Sequence, residues 1–278
     1  MTEALRILDP KQVSLDIPMT LVVNEILLRD GGKESWLVAA ADRRMWSLTE
    51  SRPTKPVRKL LEVPYLHGAI SYYGVGEVVE RGRSRPLVDW LADFIQREYQ
   101  CIGLEQFVNH LRLELGRCIP QSWLEKMPSG IHFCGHDKDR NPEFWHFCNH
   151  SLAPDFQYQD CRSRFYDATN WQANNAQTLI PGPYGVVFWA RNGQYLSHAA
   201  AWNPLDVVIN QLAKFPDFQR PDLDAETYGR YIKFKFEVIS HIYKYWAHAP
   251  TVGTPIDVLV FRKTKDKIET FDSSNERS

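Results

Sequence analysis

Thr20-Leu-Val-Val-Asn-Glu-Ile-Leu-Leu28, Arg29-Asp-Gly-Gly-Lys-Glu-Ser35 and Trp36-Leu-Val-Ala-Ala-Ala-Asp42 run consecutively and decide how the chain is read. The first and third stretches are apolar and rich in β-branched or small residues, so they read as strands. The polar stretch between them contains Asp30-Gly31, a strong signal for a tight hairpin turn. The returning strand is apolar at nearly every position and is expected to be buried on both faces. If the turn centres on Asp30-Gly31, Thr20 lies opposite Ala41; if it centres on Gly31-Gly32, Thr20 lies opposite Arg43. Either way Thr20 opens one strand beside Asp42, which ends the other.

Outward from this hairpin the pattern continues in blocks. A polar, proline-bearing stretch from Thr49 to Pro56 leads to Lys59-Leu-Leu-Glu-Val63 and a small apolar strand around Gly68-Ala-Ile70. Amphipathic helices are expected near 85–100 and 104–118, separated by Gly103. Gly130-Ile-His-Phe-Cys-Gly-His136 and Glu143-Phe-Trp-His-Phe-Cys148 read as a second hairpin, turning over Asp137 to Pro142. Residues 150–185 are rich in Asn, Gln, Asp and Pro and read as an insertion. Tyr184-Gly-Val-Val-Phe-Trp-Ala190 reads as a strand turning at Asn192-Gly193. Helices follow over about 204–215 and 224–246, the second with Asp224 as N-cap. Pro255-Ile-Asp-Val-Leu-Val-Phe261 closes the domain, and the charged tail from Thr264 is expected to be flexible. Strand pairs, two helices, strand pairs, two helices and a strand make an α+β class with sheets between helix layers, not alternating βαβ units. The division is thus an extension or propeptide over 1–19, a domain over 20–263 and a tail over 264–278.

Composition excludes several classes of function. Of 278 residues, 44% are hydrophobic and 24% charged, which is globular and not disordered. The net charge of -1 gives no electrostatic reason to expect nucleic acid or an anionic membrane as partner. No apolar run reaches the length of a membrane span. The first residues, MTEALRILDPKQ, carry charges where a signal peptide needs its apolar stretch. Five cysteines at 101, 118, 134, 148 and 161 form no CxxC, which suits a reducing compartment. A cytoplasmic protein is the expectation.

The first hairpin also carries the chemistry. A threonine hydroxyl is a weak nucleophile, but a free α-amine on the same residue can serve as its base. Such an amine titrates at about 7.7–8.0, near neutral pH. A nearby lysine lowers that value and stabilises charge developing on the hydroxyl oxygen, and a carboxylate holds the lysine in place. Thr20, Asp42 and Lys59 supply those three groups. Taken singly, Thr20 is also an ordinary strand residue, Asp42-Arg43-Arg44 a solvated charge cluster, and Lys59 a surface lysine. Thr2 is a rival nucleophile, exposed if Met1 is removed, but it lies far upstream of the strand.

Thr20-Leu-Val-Val, the strand ending Ala-Ala-Ala-Asp42-Arg-Arg44, Lys59-Leu-Leu and Gly68-Ala-Ile-Ser-Tyr-Tyr-Gly74 resemble the opening of proteasome β-type N-terminal-nucleophile hydrolases, in a divergent bacterial form. The second hairpin and Val252-Gly-Thr-Pro-Ile-Asp-Val-Leu-Val260 are similar to later strands of that family. The resemblance implies a four-layer αββα sandwich, a homo-oligomeric ring and a peptide or protein substrate, with any unfoldase partner unspecified. It maps Thr20 to the nucleophile, Asp42 and Lys59 to its partners, Arg44 to a supporting basic residue, and Gly74 to the oxyanion-stabilising N–H. His248 and Thr251 stand where active members carry an aspartate and a serine. Because nineteen residues precede Thr20, its amine is an amide until Met19-Thr20 is cut. The expected function is therefore a threonine peptidase or amidase, with a non-catalytic structural or regulatory subunit as the alternative.

One further pattern stands apart from the resemblance. His132, Cys134 and His136 alternate along one strand, and His146, Cys148 and His150 along the next. If His132 faces His150, Cys134 faces Cys148 and His136 faces His146, six zinc-type ligands share one face. Buried apolar cysteines and rim histidines explain the same residues, and neither a metal nor another cofactor is expected.

Overall fold

The computed structural model describes residues 20–29, 33–44, 46–47, 52–53, 55–101, 103–152, 158–170, 179–182, 185–193, 201–212, 214–215, 224–247 and 251–274. The expected extension over 1–19, with Thr2 in it, the Asp30-Gly31 turn and His248 lie outside these residues, as does part of the 150–185 insertion.

In chain order, β1 (Leu21–Arg29) and β2 (Glu34–Asp42) form the first hairpin, followed by the short pair β3 (Trp46–Ser47) and β4 (Arg52–Pro53). Next come β5 (Leu60–Val63), β6 (Gly68–Tyr73) and the exposed hairpin β7 (Glu77–Glu80) and β8 (Arg83–Pro86). Helices α1 (Leu87–Arg97), α2 (Leu104–Cys118) and α3 (Gln121–Leu124) precede the second hairpin, β9 (Gly130–His136) and β10 (Pro142–Cys148). Short strands β11 (Ser151–Leu152), β12 (Tyr158–Gln159) and β13 (Thr169–Asn170) lead to β14 (Leu179–Gly182) and β15 (Gly185–Gly193). Helices α4 (Asn203–Leu212) and α5 (Ala225–Trp246) are followed by β16 (Ile256–Lys263) and β17 (Ile268–Asp272).

The class is α+β with antiparallel sheets. One sheet has the order β14-β15-β1-β2-β16-β17 and the other β13-β10-β9-β6-β5. Strand alternation sorts side chains to the two faces of each sheet. In β1, Leu21, Val23 and Leu27 join a core cluster with Tyr228, Ile232, Phe236 and Ile239 of α5. Val22 and Ile26, on the opposite face, join a cluster with Leu60, Ala69, Cys134 and Phe144 of the second sheet. β2 splits its apolar run the same way, Val38 and Ala40 to one side and Leu37, Ala39 and Ala41 to the other. It is buried on both faces.

The helices follow their apolar stripes. Leu87, Trp90, Leu91, Phe94 and Ile95 of α1 recur at helical spacing, as do Leu104, Phe107, Val108, Leu111 and Leu115 of α2. Both stripes pack with Ile70, Tyr72, Ile131, Phe133 and Phe147 of the second sheet. Asp224 caps α5, its carboxylate accepting the Thr227 N–H at 2.7 Å.

Three expectations need correction. β15 continues as a strand through Asn192-Gly193, because Val22 and Leu21 of β1 supply partners for both residues. Residues 268–272, expected within a flexible tail, form β17 on the edge of the first sheet, pairing with Leu259–Lys263 of β16. The second hairpin is displaced by four residues from the pairing on which the six-ligand face depended. His132 faces His146, Cys134 faces Phe144 and His136 faces Pro142. The cause is the turn. Asp137 Oδ1 accepts the N–H groups of Asp139 at 2.8 Å and Asn141 at 2.7 Å, and the Asp137 N–H donates to Asn141 O at 2.9 Å. This side-chain-closed turn draws Asn141 and Pro142 toward the start of the loop.

Candidate active site

Val22 faces Ala41 and Val23 faces Ala40, so the first hairpin takes the register that sets Thr20 opposite Arg43. At the same end of this sheet Gly193 faces Leu21 and Ile256 faces Asp42. In the second sheet Leu60 faces Ser71, and the Tyr72 N–H donates to Lys59 O at 3.3 Å. Lys59 therefore lies where β5 begins and β6 ends. Its side chain reaches across to the first sheet, where Thr20 continues the alternation of Val22 and Ile26 toward the space between the sheets.

Thr20 is 3% exposed, Lys59 1% and Asp42 0%. Lys59 Nζ donates to Thr20 Oγ1 and to the Arg44 carbonyl, and stands 3.9 Å from Asp42 Oδ1. Asp42 in turn accepts three backbone N–H groups: Leu21 at 2.8 Å, Arg44 at 3.1 Å and Gly253 at 3.3 Å. The carboxylate thus fastens the start of β1, the end of β2 and the segment before β16 to one point. Burial pushes the Asp42 carboxyl up, against the opposing pull of Lys59 and the three N–H groups. Burial pushes the Lys59 ammonium down, against Asp42. A lysine held in this way parts with a proton more readily than one in water, and its charge is aimed at a single hydroxyl oxygen.

Arg44 enters the site through its backbone, since its carbonyl and N–H make the two bonds just described. Its side chain packs against Gly253, where a Cβ would lie 2.5 Å from Arg44 Nε. Gly74 follows β6 at the Lys59 end of the sheet with φ +84°. A Cβ there would lie 2.3 Å from Pro128 O and 2.4 Å from Ser129 Oγ, so the position demands glycine. Ser129 Oγ accepts the Val75 N–H at 3.0 Å, and Asn149 Oδ1 accepts the Ser129 N–H at 2.7 Å. Thr251 precedes Gly253, and its buried Oγ1 has no hydrogen-bond partner among the described residues.

Sequence reasoning missed Arg43. Its guanidinium grips Asp257 through both carboxylate oxygens, Nε to Oδ2 at 2.8 Å and Nη2 to Oδ1, and Asp257 is fully buried. This pair ties the end of β2 to β16 beside Asp42. Asp257, an ionic residue inside the apolar strand β16, was the available signal.

His132, His146 and His150 find polar partners in neighbouring strands. Asn24 Nδ2 donates to His132 Nδ1 at 2.8 Å, which an amide nitrogen can only do as donor. Tyr73 OH lies 2.9 Å from His150 Nε2 and 3.4 Å from His146 Nε2. Burial pushes His146 well below the usual histidine value and His150 down to about 4. Cys134 is fully buried, its thiol pushed up to about 12. Among the described residues no three His, Cys, Asp or Glu side chains form a group that could hold a metal ion.

No family model and no curated protein matches the chain. Among solved structures, Anbu (ancestral beta-subunit) from Yersinia bercovieri is similar, with a TM-score of 0.45 and 11% identity over 91% of this chain and 88% of that one. A likeness this distant does not place the chain in a family. The resemblance to proteasome β-type hydrolases is corrected accordingly: matched neither by a family model nor by a curated relative, it does not stand as a family assignment. Among the described residues no helix is long and apolar enough to cross a membrane.

Proposed function

We propose that the chain is a threonine-type peptidase or amidase. Thr20 becomes the nucleophile once cleavage of Met19-Thr20 turns its amide nitrogen into an amine. The amine takes the hydroxyl proton as Oγ1 attacks the carbonyl carbon, and returns it to the departing amine as the amide C–N bond breaks. Water then hydrolyses the ester and restores the hydroxyl. Lys59 stabilises the oxygen during attack, Asp42 holds Lys59, and the Gly74 N–H receives the oxyanion. The observation that carries this reading is the Lys59 ammonium donating to Thr20 Oγ1 from the opposite sheet. Intact mass and N-terminal sequencing of purified protein test it. A chain beginning at Thr20 that is labelled there by a threonine-directed electrophile supports the proposal, and an uncut, unlabelled chain refutes it.

The layering that holds this site is read as αββα. Support comes from three core clusters: α1 and α2 against the second sheet, α5 against the first, and one cluster shared by both sheets. Self-association forms part of the same proposal. Val207, Val208 and Leu212 of α4 and Phe234, Ile242, Tyr245 and Trp246 of α5 are exposed, Trp246 at 78%. A sedimentation mass of 32.3 kDa at micromolar concentration would refute it.

A second reading, a non-catalytic structural or regulatory protein, is favoured by the burial of Thr20, which is 3% exposed. The N-terminal sequence separates the two.

A further inference from the structure

Away from Thr20, a cavity of about 300 Å³ is lined by Arg112, Arg162, Arg164, Phe165, Tyr166 and Asp167. Three arginines line it, with a single aspartate. Among the described residues Asp167 pairs only with Arg112, at 3.3 Å, and is 92% exposed at its side chain. The Arg112 Nε–H is buried with no acceptor among the described residues. Arg162 and Arg164 make no ion pair with any described residue, and Arg162 lies 4.4 Å from the centre of the Tyr166 ring. The lining thus carries an excess of two positive charges. Like charges so placed repel one another unless an anion joins them.

The scaffold beneath is fixed. The Arg162 N–H donates to Asn149 O at 2.7 Å, and the Arg162 carbonyl accepts from Asn149 Nδ2 at 3.3 Å. The Tyr166 N–H donates to Cys148 O at 2.8 Å. Phe165 is buried edge-on against Phe147, ring centres 5.1 Å apart. Residues 162–167 are therefore anchored to the end of β10, and Arg112 is carried by α2. The arginines are presented by anchored backbone, which reduces the ordering cost of binding.

We propose that this cavity binds a phosphate group, free or as a small phosphomonoester. A phosphomonoester carries roughly -1.5 to -2 charges at neutral pH, which matches the excess, whereas a single carboxylate leaves half of it unneutralised. Guanidinium forks pair with phosphate oxygens in bidentate fashion, and three of them surround a tetrahedral group better than a planar one. The volume is at the lower end of small-molecule pockets, so the ligand is small. The inference is independent of Thr20 chemistry.

The test is isothermal titration calorimetry of the full chain with inorganic phosphate, at low salt and at about 0.15 M ionic strength. Acetate serves as the carboxylate comparator. Saturable one-to-one binding of phosphate, tighter than acetate, is expected. Arg164→Ala should weaken it at least about tenfold, and Arg162→Ala similarly. Arg117→Ala, on the same helix as Arg112 but outside the cavity, should leave it unchanged. Arg164 is exposed and makes no ion pair with any described residue, so its variant keeps the fold, which circular dichroism verifies. Absence of saturable phosphate binding, equal affinity for acetate, or binding indifferent to Arg164→Ala each overturns the proposal.

Discussion

Lys59 Nζ and Thr20 Oγ1 are hydrogen-bonded although the two residues immediately precede strands of different sheets. The ammonium also donates to the Arg44 carbonyl and forms an ion pair with Asp42 at 3.9 Å, so two hydrogen bonds and one carboxylate fix its position. Removing either end of the bond has different consequences. Thr20→Ala deletes the hydroxyl and one methyl group and should leave a folded chain with residue 1 or 2 still at its N-terminus and no hydrolysis of peptide or amide substrates. Lys59→Met removes a buried cation beside a buried carboxylate. It should abolish cleavage and also lower stability by roughly 3–5 kcal/mol, because Asp42 is left uncompensated. Denaturant titration with N-terminal sequencing checks both. A self-cleaving Thr20→Ala chain would remove Thr20 from the chemistry.

Gly74 offers a test of the backbone around the site. Gly74→Ala places a Cβ against Pro128 O in a left-handed conformation that alanine adopts at a cost of about 1–3 kcal/mol. The expected result is a lower urea midpoint together with lost activity. Ser129→Ala removes the acceptor of the Val75 N–H without that clash and should cost about 1–3 kcal/mol. An active, fully stable Gly74→Ala variant would show that the backbone there does not need the left-handed conformation and close packing that demand glycine.

Arg43 and Asp257 should behave as a coupled pair. Arg43→Met leaves Asp257 buried and unpaired, with an expected loss of roughly 3 kcal/mol, whereas Arg43→Met with Asp257→Leu should recover much of it. A double-mutant cycle measures the coupling. Strictly additive losses would show that the two residues act separately.

The parts of the fold that were legible share a property: they depend on periodicity within one stretch of chain. The stripes of α1 and α2, the Asp224 cap and the two-faced burial of β2 are of this kind. The hairpin pairing of β1 and β2 was legible to within two alternatives, which differ by one residue in the turn. What was not legible depends on contacts between distant segments or on one side chain in a turn. Asp137 capturing its own backbone moved the second hairpin by four residues and replaced a paired Cys134–Cys148 with Cys134 facing Phe144. β17 forms only because β16 offers it a free edge. At the site, Thr20, Asp42 and Lys59 were singled out by chemistry, but the three N–H groups on Asp42 come from segments up to 211 residues apart. The Arg43–Asp257 pair needs the β2–β16 register before it exists.

The buried histidines make stability depend on pH, and His136 isolates the effect. It is 4% exposed, and its Nδ1 must carry the proton that bonds to the His67 carbonyl at 2.9 Å. Nε2 is buried with no partner among the described residues, so the ring stays neutral. Burial pushes its value down to about 4, from about 6.5 in an unfolded chain. Between those limits the unfolded chain binds a proton that the folded chain refuses. Stability is therefore complete above about pH 6.5 and falls as pH drops toward 4, at about 1.4 kcal/mol per pH unit for this residue. His150 adds a parallel loss over the same window, since its value is also held at about 4. His136→Gln removes one titrating group while an amide N–H remains able to reach the His67 carbonyl. Urea unfolding at half-unit steps from pH 7 to 4 should show a slope shallower by about one proton in the variant. Parallel curves for variant and wild type would mean that His136 titrates alike in both states and that its burial does not oppose protonation.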